Sequence, residues 1–355
     1  MGSAVRARKG PSDPVRLIYP REESTGAIGR DLRRGAGASL GAVRVVEDAV
    51  SLIGWTPMAH LAPLEEPGSA RIYAKLEYLN PGMSVKDRTA LGMILAAERD
   101  GSLGPGGTIV EATAGNTGVG LALVGVSRGY RVVIVMVDGY AREKMTLVRG
   151  LGGEIVVVPS SAGMDGAVAK ANQIASATPG ALMMRQFDNP ANPAIHYETT
   201  GPEILEQMGG PVDGFVTGAG TGGTFTGIAR FLKERNPSTA CWVVEPPDSI
   251  FGGGTGDGAH AVEGIGNHWW PAVLDRTLID GVFTIPHSES YAMVDRLGRM
   301  GYLAAASSGA NVSGALRLAR RLGTGKRVVT LLCDPSERYF SKYVYDGLYE
   351  GRPIP

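Results

Sequence analysis

The sequence predicts an open α/β architecture in two lobes with mostly parallel sheets. Three observations predict it. From about residue 45 onward, short β-branched runs alternate with stretches of helical length. The runs are almost continuously apolar, as strands covered on both faces are. Glycine-rich turns follow several of the runs and open the next helix, as in β-α units.

Taken in chain order, strands are predicted over 71–76 (RIYAKL), 108–111 (TIVE), 131–137 (RVVIVMV), 154–158 (EIVVV), 214–217 (GFVT), 241–245 (CWVVE) and 327–333 (RVVTLLC). Helices are predicted over 84–100, 118–128, 141–150, 163–178, 224–235, 288–299 and 312–322, each bounded by Gly, Pro or Asn. The longest irregular piece, 246–271, is rich in glycine, and loops of that length in compact domains tend to be functional. No solenoid repeat and no low-complexity tract interrupts the pattern.

Composition narrows the class. A chain of 355 residues is long enough for one large or two modest domains with a buried core. It carries 35 basic and 35 acidic side chains, so it lacks the electrostatic footprint of a nucleic-acid binder. An apolar content of 43% with no net charge excludes disorder for most of the chain. Cys241 and Cys333 make neither a disulfide framework nor a four-ligand zinc site. His60, His196, His260, His268 and His287 lack metal-ligand spacing, so they read as structural and no metal is expected. No stretch approaches the roughly 18 apolar residues of a membrane span. The basic start (MGSAVRARKGPSDPVR) is followed by no apolar signal core, and Asp13, Glu22, Glu23 and Asp31 disfavour an organelle-targeting segment. Residues 1–44 read as an N-terminal extension, and the expected location is cytoplasmic.

Three loops carry chemistry. The first runs from Glu111 to Gly120 (EATAGNTGVG), between a strand and a helix. Its backbone N–H groups and helix dipole make an anion site, to which Thr113, Asn116 and Thr117 add side-chain donors. An ordinary strand-to-helix turn is the alternative. The second, Gly218 to Thr224 (GAGTGGT), places four glycines and two threonines before a helix and reads as a phosphate cradle. It lacks the Gly-Lys-Ser/Thr of a P-loop, and its spacing departs from the dinucleotide fingerprint. Two anion-binding turns suggest a ligand with both a phosphate and a carboxylate. The third, Asn80 to Arg88 (NPGMSVKDR), puts Lys86 in the first turn of a helix, where the dipole disfavours a cation. Lys86 is either an ordinary exposed lysine or one kept neutral or held as an imine.

These loops occur in order with GWTPM at 54–58, QFDNPANP at 186–193, VEP at 244–246, EGIG at 263–266, SSGA at 307–310 and ERY at 337–339. Together they resemble the cysteine synthase / cystathionine β-synthase family of fold-type-II pyridoxal-phosphate (PLP) enzymes, which are tryptophan synthase β-like. The resemblance runs over about 51–345, and TAGNTG with 311–334 looks like the branch that includes cysteine desulfhydrases. It implies a larger lobe of 45–82 and 190–355 that binds the PLP phosphate. It also implies a smaller, mobile lobe of 83–189 that carries the substrate-carboxylate loop.

By this resemblance Lys86 forms the internal aldimine with PLP, and Asn116 bonds the cofactor's 3′ oxygen. Gly220, Thr221, Gly222, Gly223 and Thr224 cradle the phosphate, and Ser307 faces the pyridine nitrogen. Thr113, Ala114, Gly115 and Thr117, with Gln186, occupy the substrate-carboxylate positions. Gly264 and Gly266 lie on the loop facing the substrate amine. The substrate is a small amino acid, and a homodimer is implied. A hydroxyl at the ring nitrogen cannot balance a pyridinium as a carboxylate would, which steers the chemistry toward β-elimination.

The chain departs from the family at several places. Ala114 stands where many relatives carry a serine, deleting one donor. Asp334-Pro-Ser-Glu-Arg-Tyr339 replaces the usual Asp-Ser-Gly-Glu-Arg-Tyr. Trp269 and Trp270 beside EGIG stand either at the substrate entrance or in core packing. Arg185 before Gln186 meets either a second substrate carboxylate or a surface acid. The expected reaction is β-replacement on an activated L-serine, O-acetylserine- or O-phosphoserine-like, through an α-aminoacrylate, with a sulfur or amine nucleophile. The alternative is β-elimination of L-cysteine to sulfide, pyruvate and ammonia. A scaffold without turnover is disfavoured by the joint presence of Lys86, Asn116, the phosphate loop and Ser307.

Overall fold

The computed structural model describes residues 45–139, 142–247, 249–256, 262–342 and 345. The extension predicted over 1–44 lies outside these residues, as do Ala141, the start of one predicted helix, and His260. Residues 45–51 belong to a separate unit, in which Asp48 accepts from the backbone N–H and hydroxyl of Ser51. Everything below concerns the unit from Leu52 onward.

Its strands are β1 (Met58–His60), β2 (Arg71–Leu76), β3 (Thr108–Ala112), β4 (Arg131–Val137), β5 (Glu154–Val158), β6 (Ala181–Met183), β7 (Gly214–Gly218), β8 (Ala240–Glu245), β9 (Gly281–Thr284) and β10 (Arg327–Leu332). Its α-helices are α1 (Lys86–Arg99), α2 (Asn116–Ser127), α3 (Arg142–Gly150), α4 (Gly163–Ala177), α5 (Ala191–Ile195), α6 (Gly201–Met208), α7 (Gly223–Arg235), α8 (His287–Arg299) and α9 (Ala306–Leu322). A six-stranded sheet has the order β1-β2-β10-β7-β8-β9, and only its β1–β2 pair is antiparallel. A four-stranded sheet has the order β5-β4-β3-β6 and is parallel throughout. Parallel neighbours need crossovers, and the helices supply them.

Both faces of the large sheet are covered, which explains its unbroken apolar strands. Ile72, Ala74, Val216 and Val328 meet α8 and α9 through Val294, Leu297, Val312 and Leu316. On the other face Phe215, Val243, Val329 and Leu331 meet α6 and α7 through Ile204, Phe225, Ile228 and Leu232. The small sheet buries Val110, Ala112, Val133 and Val135 against Ala167 and Ala171 of α4. Its opposite face carries Ile109 and Val132 against Gly125 of α2, near Ile94 of α1.

Helix α1 begins two residues after its predicted start, and two other helices begin early. α2 begins at Asn116 and α9 at Ala306, two and six residues before the predicted starts. The Ser-Ser-Gly run opening α9 reads as loop by propensity, but it is pinned from outside. Ser308 Oγ accepts from the Cys333 N–H at 2.9 Å, and the Ala305 N–H reaches the Asp334 carbonyl at 3.0 Å. Ser307 therefore sits in the first helical turn. β1, β6 and β9 are only three or four residues long, too short to show a period. α5 and α6 are joined by a π-helical turn, His196–Thr200, in a stretch whose prolines mask helical periodicity.

A buried charge cluster joins α1 to the large sheet. Arg88 spans Glu77 (Nε to Oε2, 2.8 Å) and Glu203 (Nη1 to Oε1, 2.7 Å), and Lys75 Nζ reaches Glu203 Oε2 at 2.7 Å. Thr56 Oγ1 donates to Glu77 at 2.7 Å. All four charged side chains are buried. Burial pushes the Glu77 carboxyl up, but Arg88 and Lys75 outweigh it and hold it at about 2.

Removing one member of such a cluster strands the others without compensation. Arg88→Met is expected to cost about 3–5 kcal/mol in urea unfolding. A loss below about 1 kcal/mol would be that of a solvent-exposed pair. The parent's Glu77 contribution is present above its ordinary 4.5 and disappears as pH falls toward 2. That acid sensitivity should shrink in Arg88→Met.

Candidate active site

The predicted site residues follow the carboxyl ends of parallel strands, where open α/β sheets place their ligands. β2 leads through 77–85 to Lys86, β3 to the Thr113–Gly115 turn, β7 to the Ala219–Gly222 loop and β10 to Cys333 and Asp334. One cavity is lined by Lys86, Asn116, Gly220, Thr221, Gly222, Thr224, Gly264 and Ser307, together with Glu263, Cys333, Asp334 and Tyr339.

Lys86 is the first residue of α1. The turn before it is stitched to β10 by the Val85 N–H, which donates to the Cys333 carbonyl at 2.9 Å. α2 passes close by, because a Cβ on Gly120 would stand 2.8 Å from the Lys86 carbonyl oxygen. The Lys86 amine has no hydrogen-bond or ion-pair partner among the described residues. Burial pulls it below the usual lysine range, against the pull of Cys333 and Asp334 in the other direction.

The glycine loop wraps the start of α7. A Cβ on Gly220 would overlap the Gly264 carbonyl, so only glycine lets these two loops touch. Gly222, at φ +83°, caps α7 in the left-handed region. The first N–H groups of α7 have no intrahelical acceptor. Thr221 Oγ1 accepts from Asn192 Nδ2 at 3.0 Å and from the Gly223 N–H at 3.3 Å. Thr224 Oγ1 meets His196 Nε2 at 3.2 Å. Burial, with the Arg88 charge, pushes His196 down to about 3, so its imidazole is neutral. A dianionic phosphate fits this helix end, and a less basic, unpartnered amine fits a carbonyl that condenses with it.

The predicted carboxylate residues form a second group that does not line the cavity. Thr117 Oγ1 donates to Gln186 Oε1 at 2.6 Å, and Thr113 Oγ1 accepts from the Gly115 N–H at 3.1 Å. Ala114 is buried. Asn192 ties this group to the glycine loop, since its Nδ2 also donates to the Gln186 carbonyl at 2.8 Å. Gly223 faces Asn192, and the Gly266 N–H bonds the Ala219 carbonyl at 3.1 Å. Asn267 Nδ2 donates to the Gly220 carbonyl, a further tie between the EGIG segment and the glycine loop.

Several participants carry no assigned role in the sequence. Asp334 accepts from Asn116 Nδ2 at 2.6 Å and from the Tyr339 hydroxyl, and faces Ser307 Oγ at 3.5 Å. A carboxylate thus stands behind Ser307, where sequence reasoning placed a hydroxyl alone. Arg338 donates to Asn116 Oδ1 and to the Gly82 carbonyl. ERY was visible as a motif, yet nothing in its spacing tells what it touches. Lys144 of α3 pairs with Glu263 at 2.6 Å and lies 4.3 Å over the Tyr339 ring. The Cys333 thiol lies in the cavity wall, pushed up to about 12 by burial and by Asp334.

Trp270 packs on Phe251 with Arg276 above it, whereas Trp269 is 45% exposed and leans on Phe187. Arg185 meets a surface acid, Asp188, at 3.1 Å. Among the described residues no group of His, Cys, Asp or Glu is built to hold a metal ion. No helix among them is long and apolar enough to cross a membrane.

Glu111 buttresses the carboxylate group. Its Oε2 accepts from the backbone N–H of Arg185 at 2.7 Å, holding that residue at φ +56° just before Gln186. Burial pushes the Glu111 carboxyl up to about 8, against the backbone donors of Arg185 and Gln186. Its protonation favours the folded chain. This contribution is complete below its ordinary 4.5 and is lost as pH rises through about 8. Asp87, pushed up to about 7 by burial, acts in the same sense. The fall in melting temperature between pH 5 and 8 should be smaller in Glu111→Gln than in the parent. An unchanged slope would place the titration elsewhere.

The model of a family described as "Pyridoxal-phosphate dependent enzyme" matches residues 50–334. The O-acetylserine dependent cystathionine beta-synthase of Bacillus subtilis (strain 168) is 40% identical over 304 residues, 85% of this chain and 99% of that protein. A cysteine synthase of Staphylococcus aureus (strain Mu50 / ATCC 700699) is 40% identical over 306 residues, 86% and 98% of the two chains. The crystal structure of O-ureido-L-serine synthase superposes with a TM-score of 0.82 at 39% identity, covering 87% of this chain and 98% of that one. A hydrogen sulfide-producing enzyme from Fusobacterium nucleatum does so with a TM-score of 0.79 at 35% identity, covering 83% and 100%. With its two α/β lobes and a site that fits the cofactor, the chain belongs to the cysteine synthase / cystathionine β-synthase family of fold-type-II PLP-dependent enzymes.

Proposed function

We propose that the protein catalyses β-replacement on an activated L-serine, O-acetylserine- or O-phosphoserine-like, with a sulfur or amine nucleophile. One observation carries the reading. An unpartnered, half-buried lysine and a glycine-built helix start line the same cavity as Asn116 and Ser307. Likeness to relatives that bear synthase names supports it.

When bound, PLP supplies an electron sink for charge developing at the substrate's α-carbon. In this reading Lys86 would hold the cofactor covalently and, once the substrate's amine has displaced it, its freed Nζ, made less basic by burial, would take the α-proton. Gly220–Thr224 and the start of α7 hold the phosphate. Asn116 donates to the 3′ oxygen, and Ser307 faces the ring nitrogen with Asp334 behind it. Thr113, Ala114, Gly115 and Thr117 take the substrate carboxylate with Gln186, and Gly264 and Gly266 border its amine. Beyond the start of α1, which Arg88 pins to the large sheet, the smaller lobe moves over the cavity to exclude water. The same reading makes the protein a cytoplasmic homodimer.

β-Elimination of L-cysteine to sulfide, pyruvate and ammonia is the second reading, favoured by the likeness to a hydrogen sulfide-producing enzyme. Mass spectrometry of O-acetylserine, O-phosphoserine, serine and cysteine, each with and without sulfide, separates the two. Replacement yields a new amino acid only when nucleophile is present. Elimination releases pyruvate from cysteine alone, and that result would overturn the first reading. Lys86→Ala should abolish turnover and the visible absorbance of the lysine-bound cofactor. A borohydride-reducible PLP–lysine adduct in that variant would assign the role to another lysine.

A further inference from the structure

Asn116 is gripped at both ends of its amide by the segment that follows β10. Nδ2 donates to Asp334 Oδ2 at 2.6 Å, and Oδ1 accepts from Arg338 Nη1. Both partners are buried, Asp334 at 1% and Arg338 at 3% exposure. Each is anchored elsewhere: Asp334 by the Tyr339 hydroxyl, Arg338 by the Gly82 carbonyl four residues before Lys86. A flipped amide would set its oxygen against the carboxylate and its NH2 against the guanidinium, exchanging two charge-assisted bonds for two repulsions. In the orientation seen, the oxygen is used and one Nδ2 proton is used. One N–H is left, on a residue that lines the cavity.

We infer that Asp334 and Arg338 are positioning residues that lock the Asn116 amide so that it offers an N–H, never its oxygen, to the cofactor's 3′ oxygen. The inference rests on the reading of Asn116 as that oxygen's donor, and it adds what fixes the donor. It also gives the ERY segment a task, since Arg338 supplies one jaw and Tyr339 steadies the other. The remaining charged or titratable groups at the cavity are Lys86, Glu263 and Cys333, and none of them bonds Asn116.

The test uses apoenzyme reconstituted with PLP. It reads the PLP dissociation constant and the pH midpoint of the bound cofactor's visible absorbance. A donor at the 3′ oxygen favours its anionic form, so losing that donor raises the midpoint. Asn116→Ala should weaken PLP about two- to twelve-fold, the range of one hydrogen bond, and raise the midpoint. Asp334→Ala and Arg338→Met should each raise it too, and each should add less than about two-fold on the Asn116→Ala background.

The two substitutions remove opposite charges. Acting through the electric field alone, they would move the midpoint in opposite directions, Asp334→Ala downward. Opposite shifts, or full additivity on Asn116→Ala, overturn the clamp. If Arg338→Met does not fold, Asp334→Ala decides alone, because the clamp requires a rise and the field a fall. If Asn116→Ala itself changes neither quantity, the reading of Asn116 as the donor falls, and the clamp falls with it.

Discussion

The guanidinium of Arg88 sets the placement of the site. It lies two residues beyond Lys86 on α1 and is buried between Glu77 and Glu203. Residues two apart on a helix point roughly 200° away from each other. With Arg88 committed to the buried cluster on one side, Lys86 has to face the other, toward the cavity. Four desolvated charges compensate only one another, so rotating α1 would break the set. The lysine thus depends on ion pairs it never touches. Lys75 extends the cluster to β2, and Glu203 extends it to α6, so the large sheet fixes the phase of the helix.

Around that fixed point the other walls are joined by small polar hubs. Asn192 bonds both the Gln186 carbonyl and Thr221, linking the carboxylate group to the glycine loop. Lys144 links α3, beside the small sheet, to Glu263 and to the face of Tyr339. Ser341 extends that seam by bonding Glu143 through its N–H and hydroxyl. The two sheets therefore meet at the cavity through side chains drawn from α3, the EGIG segment and the segment after β10. An order imposed on any one of them is felt by the others.

The α/β class was legible because buried parallel strands leave long apolar runs, and β2, β4 and β5 begin and end where those runs do. The glycine loops were legible because helix starts that accept anions need small residues and free N–H groups. Asp334, Arg338, Asn192 and His196 were not legible as neighbours of the site. Their roles depend on which strand ends lie side by side in the folded sheet, and local spacing does not encode that. The start of α9 lies six residues before the predicted one, because the Ser308 hydroxyl, bonded to the Cys333 N–H, holds a Ser-Ser-Gly run in the helix. The short strands and the π-helical turn went unseen for want of a full period.

Cys333 carries a consequence for chemical selectivity. It shares the cavity with Lys86, yet burial and the Asp334 carboxylate push its thiol up to about 12, so it stays protonated at neutral pH. An electrophile that enters this cavity meets an inert sulfur in its wall, so covalent labelling there falls on the Lys86 amine. The protection comes from burial beside the Asp334 carboxylate, so any change that wets or neutralises that corner would turn the sulfur into a competing nucleophile.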